Sequence, residues 1–345
     1  MKAVLLTGPG KPFELATVPD PTPGPGEAVA RVLACGSGLT IHHARAGRLK
    51  LNHYPRIIGH EITGEIVALG SGVTDLKVGD GVTAYFYLTC GHCHWCRINR
   101  ETLCDNFGGY VGRETEGGYA EYIKLPARSY LKYPEGIDWR KNPAEAGVIT
   151  DALATPLKVI RRARVSPHDT VAVIGAGGGL GVHMQKVAKW ARAAKVIAVD
   201  KSAAKFETAV KCGADVCIDA SAGRVAEQLL EATGGKGVDV VVDFVSNAST
   251  LEPALNAMNK GGRILTLGGH GQPVQVQAAK LLRNEIELMG SRYATRQEVM
   301  DTLELVARGE FSALVTDKAP LEQAEALHQR LDKELIIGRA ALVMV

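Results

Sequence analysis

The chain has 345 residues, 46% of them hydrophobic and 22% charged, with 40 basic side chains against 37 acidic ones. At roughly 150 residues per domain this suggests about two globular domains, and so balanced a charge excludes a nucleic-acid binder. No apolar run approaches the ~18 residues of a membrane helix, and the apolar start ahead of Gly8-Pro9-Gly10 is too short for a signal peptide, so a cytoplasmic enzyme or binding protein is expected.

Taken in order, the first ~130 residues read as short strands and turns, with strand candidates at Ala28–Leu33 and Glu65–Leu69 and a breaker run from Asp20 to Gly26. From about Thr150 the pattern changes. Strand-like segments at Val171–Ile174, Val196–Val199, Val238–Val242, Ile264–Leu267 and Ile286–Met289 alternate with helical stretches such as Val182–Arg192. That alternation predicts an α/β, doubly wound parallel sheet with helices on both faces. The tail carries a helix over Arg296–Arg308 and a last strand over Ala340–Val345.

Four of the seven cysteines, Cys90, Cys93, Cys96 and Cys104, follow C-x2-C-x2-C-x7-C. Short C-x2-C steps bring thiolates within reach of one ion, and four of them close a tetrahedral zinc shell with no position for substrate. Such a zinc would be structural. An iron–sulfur centre uses the same donor count, whereas a disulfide cluster fits an intracellular chain poorly. Cys35, Cys212 and Cys217 read as buried thiols, the last two at a helix end and in a strand.

The segment Gly175-Ala176-Gly177-Gly178-Gly179-Leu180-Gly181 follows the first strand of the alternating region and opens a helix. Glycines there let the backbone approach a pyrophosphate whose charge rests on the helix N-terminus. Asp200 ends the next strand, where a carboxylate accepts hydrogen bonds from the ribose of NAD and repels the extra phosphate of NADP. Lys201 beside it works against that discrimination. The order strand, glycines, helix, strand, acid predicts NAD binding.

A second cluster is Gly59-His60-Glu61-Ile62-Thr63-Gly64, with Gly70 and Val73 after it. An imidazole and a neighbouring carboxylate can ligate and tune a metal; alone, the pair reads better as a buried histidine beside a surface glutamate. With the cysteine lobe, the glycine loop and Asp200 in this order, the chain resembles the zinc-containing alcohol dehydrogenases of the medium-chain dehydrogenase/reductase superfamily over essentially its whole length. The resemblance implies a GroES-like catalytic domain from residues 1–150 and 290–345, a structural zinc lobe at 88–106, and a Rossmann NAD-binding domain at 151–289. The active site is then expected in the cleft between them.

Carried over residue by residue, Thr40 matches the family's hydroxyl and His43 its proton-relay histidine, while His60 and Glu61 are kept. The two cysteines of the family's catalytic zinc are replaced by Gly38 and Asp151, and an aspartate that orients the histidine ligand by Ile41. A zinc site of this kind normally uses two cysteines and one histidine; here only His60 remains. Glu61 swinging inward would give a His60–Asp151–Glu61 site of harder ligands. Asp151 has a second reading as a helix N-cap. Two mechanisms stay open, one with a weakly held catalytic zinc and one without it. The resemblance also places Val245, Leu267 and Gly268 in cofactor loops and gives Arg296 as a pyrophosphate contact.

These residues imply an NAD-dependent oxidoreductase that interconverts an alcohol and its aldehyde or ketone. The alternatives are a metal-free reductase of an activated alkene or acyl-CoA, and a degenerate NAD-binding protein. The partner expected is a small alcohol or carbonyl compound, and the family implies a homodimer or homotetramer. Aromatics at Phe86-Tyr87 and Tyr110 fit either an apolar substrate or packing under the zinc lobe.

Overall fold

A computed structural model describes residues 1–269 and 273–344 and divides into two compact units, residues 1–154 with 294–345 and residues 155–293. The first unit opens with eight strands: β1 (Lys2–Leu6), β2 (Phe13–Thr17), β3 (Glu27–Ser37), β4 (Arg56–Ile57), β5 (Glu61–Leu69), β6 (Gly81–Ala84), β7 (Tyr122–Pro126) and β8 (Tyr130–Lys132). β3 is its organising element. Eleven residues long and buried along most of its length, it pairs antiparallel with both β5 and β7. A short helix, Leu39–Arg45, leaves its end through Gly38.

The second unit holds β9 (Thr170–Ile174), β10 (Lys195–Asp200), β11 (Val216–Asp219), β12 (Val238–Asp243), β13 (Met258–Thr266) and β14 (Glu287–Gly290). They form one parallel sheet in the order β11-β10-β9-β12-β13-β14. This is the strand order 3-2-1-4-5-6 of a dinucleotide-binding fold, with the switch point between β9 and β12. Val171, Val173, Val196, Ile197, Val240 and Val241 are buried because helices cover both faces. Cys212 caps the helix Phe206–Lys211 and Cys217 lies in β11.

The chain then returns to the first unit with the helix Arg296–Ala307, β15 (Val315–Pro320) and β16 (Arg339–Val343). β16 adds antiparallel to β3, pairing Ala340 with Ser37 and Ala341 with Gly36. The expected last strand is therefore present; its final residue, Val345, lies outside the described residues. β15 is not evident in the sequence. It is a half-exposed edge strand reading Val-Thr-Asp-Lys-Ala-Pro, and edge strands carry charge and proline instead of an apolar run. Among the described residues no helix is long and apolar enough to cross a membrane.

Candidate active site

The glycine loop leaves the C-terminal end of β9. Gly175 sits at φ +78°, a left-handed conformation that favours glycine. A Cβ on Gly181 would run into the carbonyl of Gly175, and one on Gly177 into the Lys205 side chain. Gly181 begins a ten-residue helix, so its first N–H groups face the space the glycines leave clear. Asp200, at the end of β10 and only 8% exposed, accepts a hydrogen bond from the Gly177 N–H at 2.8 Å through one oxygen. Its other oxygen accepts from Ser202 N at 3.1 Å. Gly178, Gly179 and Leu180 complete the loop, and Lys201 is exposed beside the acid. Val245 follows β12, while Leu267 and Gly268 follow β13, where Gly268 N donates to Ser246 Oγ at 3.1 Å. All lie at the C-terminal edge of the sheet, where this fold takes its ligand. The residues fit a dinucleotide.

In the first unit the four cysteines gather as the spacing predicts. Their sulfurs lie within 4.8 Å of one another, with Cys90 to Cys96 and Cys93 to Cys104 each at 3.9 Å. A tetrahedron with Zn–S bonds of about 2.3 Å needs sulfurs about 3.8 Å apart. That spacing suits one ion and leaves no room for several irons between the sulfurs. Backbone N–H groups, that of His92 first, pull the Cys90 thiol down to about 5, as suits a thiolate ligand. All seven cysteines are free thiols.

The second cluster departs from what the sequence predicts. His60, Glu61 and Asp151 do converge, each offering a ligand atom within 4.8 Å of the others. Glu61 is fully buried, so the surface-glutamate reading is overturned. Nor does it need to swing inward, because a residue the sequence reading missed already holds it there. The Arg339 guanidinium grips both Glu61 oxygens, through Nε to Oε2 at 2.9 Å and through Nη2 to Oε1, and Nη2 also donates to Asp151 Oδ2 at 2.9 Å. Strand register explains the meeting. β3 runs between β5 and β16, with Gly36 opposite Glu61 and Ser37 opposite Ala340. Arg339 therefore falls beside Gly38. A Cβ on Gly36 would strike Glu61 Oε2, and one on Gly38 would lie 2.6 Å from Arg339 Nη1. The two glycines clear the space that the ion pair fills.

Asp151 is not a helix N-cap. It sits inside a π-helical segment, Ile149–Leu153, between the helices Pro143–Val148 and Ala154–Ala163. Such wide turns often mark functional positions. Burial pushes the His60 imidazole down to about 4, against the opposing pull of Asp151, so the ring is neutral. Burial pushes the Glu61 carboxyl upward, and the Arg339 guanidinium bonded to both of its oxygens opposes that shift and favours the carboxylate.

Ligand spacing alone would admit a metal at this cluster, but the donor set does not fit one. Both Glu61 oxygens and one of Asp151 accept from a guanidinium, and a dication in the same space would face that fixed positive charge. Thr40 is exposed in the first turn of the helix Leu39–Arg45, and His43 lies one turn on, on the same face. Phe86 packs on His60 at 4.3 Å, while Tyr87 makes edge contacts with Phe107 and Tyr110 at 5.2 and 5.0 Å; the aromatics are occupied with packing. Arg296 donates to the carbonyls of Arg128 at 2.6 Å and Tyr130 at 3.2 Å. These hydrogen bonds tie the start of its helix to residues 128–130.

The fold and these two sites define a zinc-type dehydrogenase of the medium-chain class. Residues 24–135 match the alcohol dehydrogenase GroES-like domain and residues 179–308 the zinc-binding dehydrogenase domain. The NAD-dependent alcohol dehydrogenase of Sulfurisphaera tokodaii is 31% identical, covering 99% of this chain and all of its own. The acryloyl-coenzyme A reductase of Metallosphaera sedula is 30% identical over 99% of each chain. A crystal structure of an NAD-dependent alcohol dehydrogenase superposes with a TM-score of 0.90 at 29% identity, covering 100% of both chains. The chain belongs to the NAD-dependent, zinc-type alcohol dehydrogenase family and is an oxidoreductase.

Proposed function

We propose that this oxidoreductase interconverts an alcohol and its aldehyde or ketone with NAD, and that it does so without a metal at the His60 cluster. The observation that carries the reading is a buried, neutral imidazole, His60, beside the Asp151 carboxylate in a chain that keeps the dinucleotide loop. Gly175, Gly177, Gly178, Gly179, Leu180 and Gly181 hold the pyrophosphate at the start of the helix Gly181–Trp190. Asp200, with Lys201 next to it, receives the adenosine ribose, and Val245, Leu267 and Gly268 line the nicotinamide side. When bound, NAD supplies the hydride acceptor, and its reduced form the donor.

The protein's own work is proton handling. Thr40 takes the proton of the substrate hydroxyl and His43 passes it toward solvent. The neutral His60 ring donates its N–H to the substrate oxygen as negative charge builds there, while Glu61 and Asp151 position the cluster through Arg339. We further infer a homodimer or homotetramer acting in the cytoplasm; light scattering on the purified protein checks the assembly. The central test is spectrophotometric. Protein with NAD and a broad panel of primary and secondary alcohols should produce NADH absorbance, and a flat trace with every alcohol would reject the reading.

A second reading has one specific observation behind it. A fixed guanidinium where the family places a metal suits an electrophile for an acyl thioester carbonyl, and one relative is named for acryloyl-coenzyme A reduction. NADH consumption with an α,β-unsaturated thioester, and none with aldehydes, would select it.

A further inference from the structure

We infer that Arg339 takes the place of a catalytic metal in this chain: its guanidinium is the resident positive charge of the site, and its presence bars divalent ions from His60, Glu61 and Asp151. Four observations carry this. The guanidinium bonds both oxygens of Glu61 and one of Asp151, which are two of the three ligands a metal would need. Its side chain is only 7% exposed, and that of Glu61 is fully buried, so the pair is not a surface contact that opens to admit an ion. Gly38 supplies the room, since any side chain there would meet Nη1 and the guanidinium carbon, at 2.6 and 2.7 Å from a Cβ. Asp151 answers the charge from the π-helical turn on the other side.

The chemistry is a substitution of one cation for another. A planar guanidinium grips a carboxylate through two parallel N–H donors, remains charged at every working pH, and is less strongly hydrated than an ammonium. It therefore suits a buried position better than lysine would. Nη1 makes no hydrogen bond among the described residues and faces the backbone of Gly38, the residue that opens the Thr40 helix. Removing the guanidinium leaves a histidine and two carboxylates with their ligand atoms within 4.8 Å of one another, a set of nitrogen and oxygen donors that a divalent ion takes. The arginine hides a metal site that the rest of the chain still builds.

This inference rests on the metal-free form of the reading above and is tested by metal content, which does not depend on which substrate turns over. The wild-type protein and R339Q are stripped, reloaded with cobalt(II), and compared by metal analysis and visible absorption. The wild type is expected to hold one ion per chain, with the thiolate charge-transfer bands of the cysteine lobe. R339Q is expected to hold two, the second adding ligand-field bands without thiolate character. A second ion in the wild type would overturn the inference, and so would an R339Q that keeps its lobe ion and gains no other. If R339Q loses the lobe ion as well, its fold has failed. R339A with millimolar guanidinium is then used, where withdrawal of the guanidinium should admit cobalt and its return displace it; uptake indifferent to guanidinium overturns the inference. A failed alcohol panel leaves all these outcomes readable, and a second wild-type ion leaves the NAD-linked reading standing without its metal-free form.

Discussion

Two clusters of candidate metal ligands lie in one structural unit, and they differ in what fills them. The lobe at Cys90–Cys104 keeps four sulfurs at single-ion spacing. The cluster at His60 offers an imidazole and two carboxylates, Glu61 and Asp151, and closes around Arg339. The difference teaches that a metal site is defined by what else occupies it as much as by its donors. Distances between candidate ligands are similar in both, yet one is open to a cation and the other already contains one.

The comparison can be broken most forcefully at the lobe. Cys96→Ala removes a ligand that no neighbouring side chain replaces. Structural zinc contributes on the order of 10 kcal/mol in small domains, so the melting temperature should fall by roughly 10 °C or more, and metal analysis should show the ion gone. Glu61→Ala comes next. It leaves the buried Arg339 with only Asp151, and stripping one partner from a buried pair costs about 3–5 kcal/mol; urea denaturation would measure this. If E61A proves neutral, the closed cluster does not hold the fold as argued.

In the nucleotide unit Asp200→Ala removes the acceptor of the Gly177 N–H together with the ribose partner. A buried hydrogen bond to a charged group is worth about 1.5–3 kcal/mol, so the Kd for NADH should rise by roughly 10- to 100-fold in a fluorescence titration, with the Cys lobe unaffected. The effect that is gentlest when taken one pH unit at a time concerns acid stability. His328 is buried, its Nε2 paired with Tyr119 Oη at 2.8 Å, and burial first, then the charges of His42 and Arg45, press it down to about 3. The folded protein thus leaves His328 neutral while the unfolded chain takes up a proton near pH 6.5. Its contribution to stability is full above pH 6.5 and is lost as pH falls toward 3, at up to about 1.4 kcal/mol per unit. His328→Phe should flatten that part of the stability-against-pH curve.

The nucleotide unit was legible because its signals are local. Apolar runs such as Val171–Ile174 announce buried strands, and the glycines, the helix and Asp200 lie within one βαβ step. The cysteine lobe was legible for the same reason. Arg339 was not. Its partner Glu61 lies 278 residues away, and a single arginine before a final strand carries no local signal; only the pairing of β16 with β3 brings it to Gly38. Two clues lie in the sequence, the absence of cysteine at 38 and 151 and the glycines at 36 and 38, where β3 ends and the next helix begins. The π-turn at Asp151 escaped as well, since sequence periodicity reads its surroundings as ordinary helix and puts a cap where the chain is continuous.

The crowding at Gly38 also constrains the order in which this sequence could change. A lone Gly38→Cys drives its side chain into the guanidinium, at 2.6 Å from Nη1, and so strains the buried ion pair. Arginine must leave first, exposing the acids to ions, and only then can thiols be tolerated. Positions 38 and 339 are therefore coupled: the first accepts a side chain only after the second has given up its own.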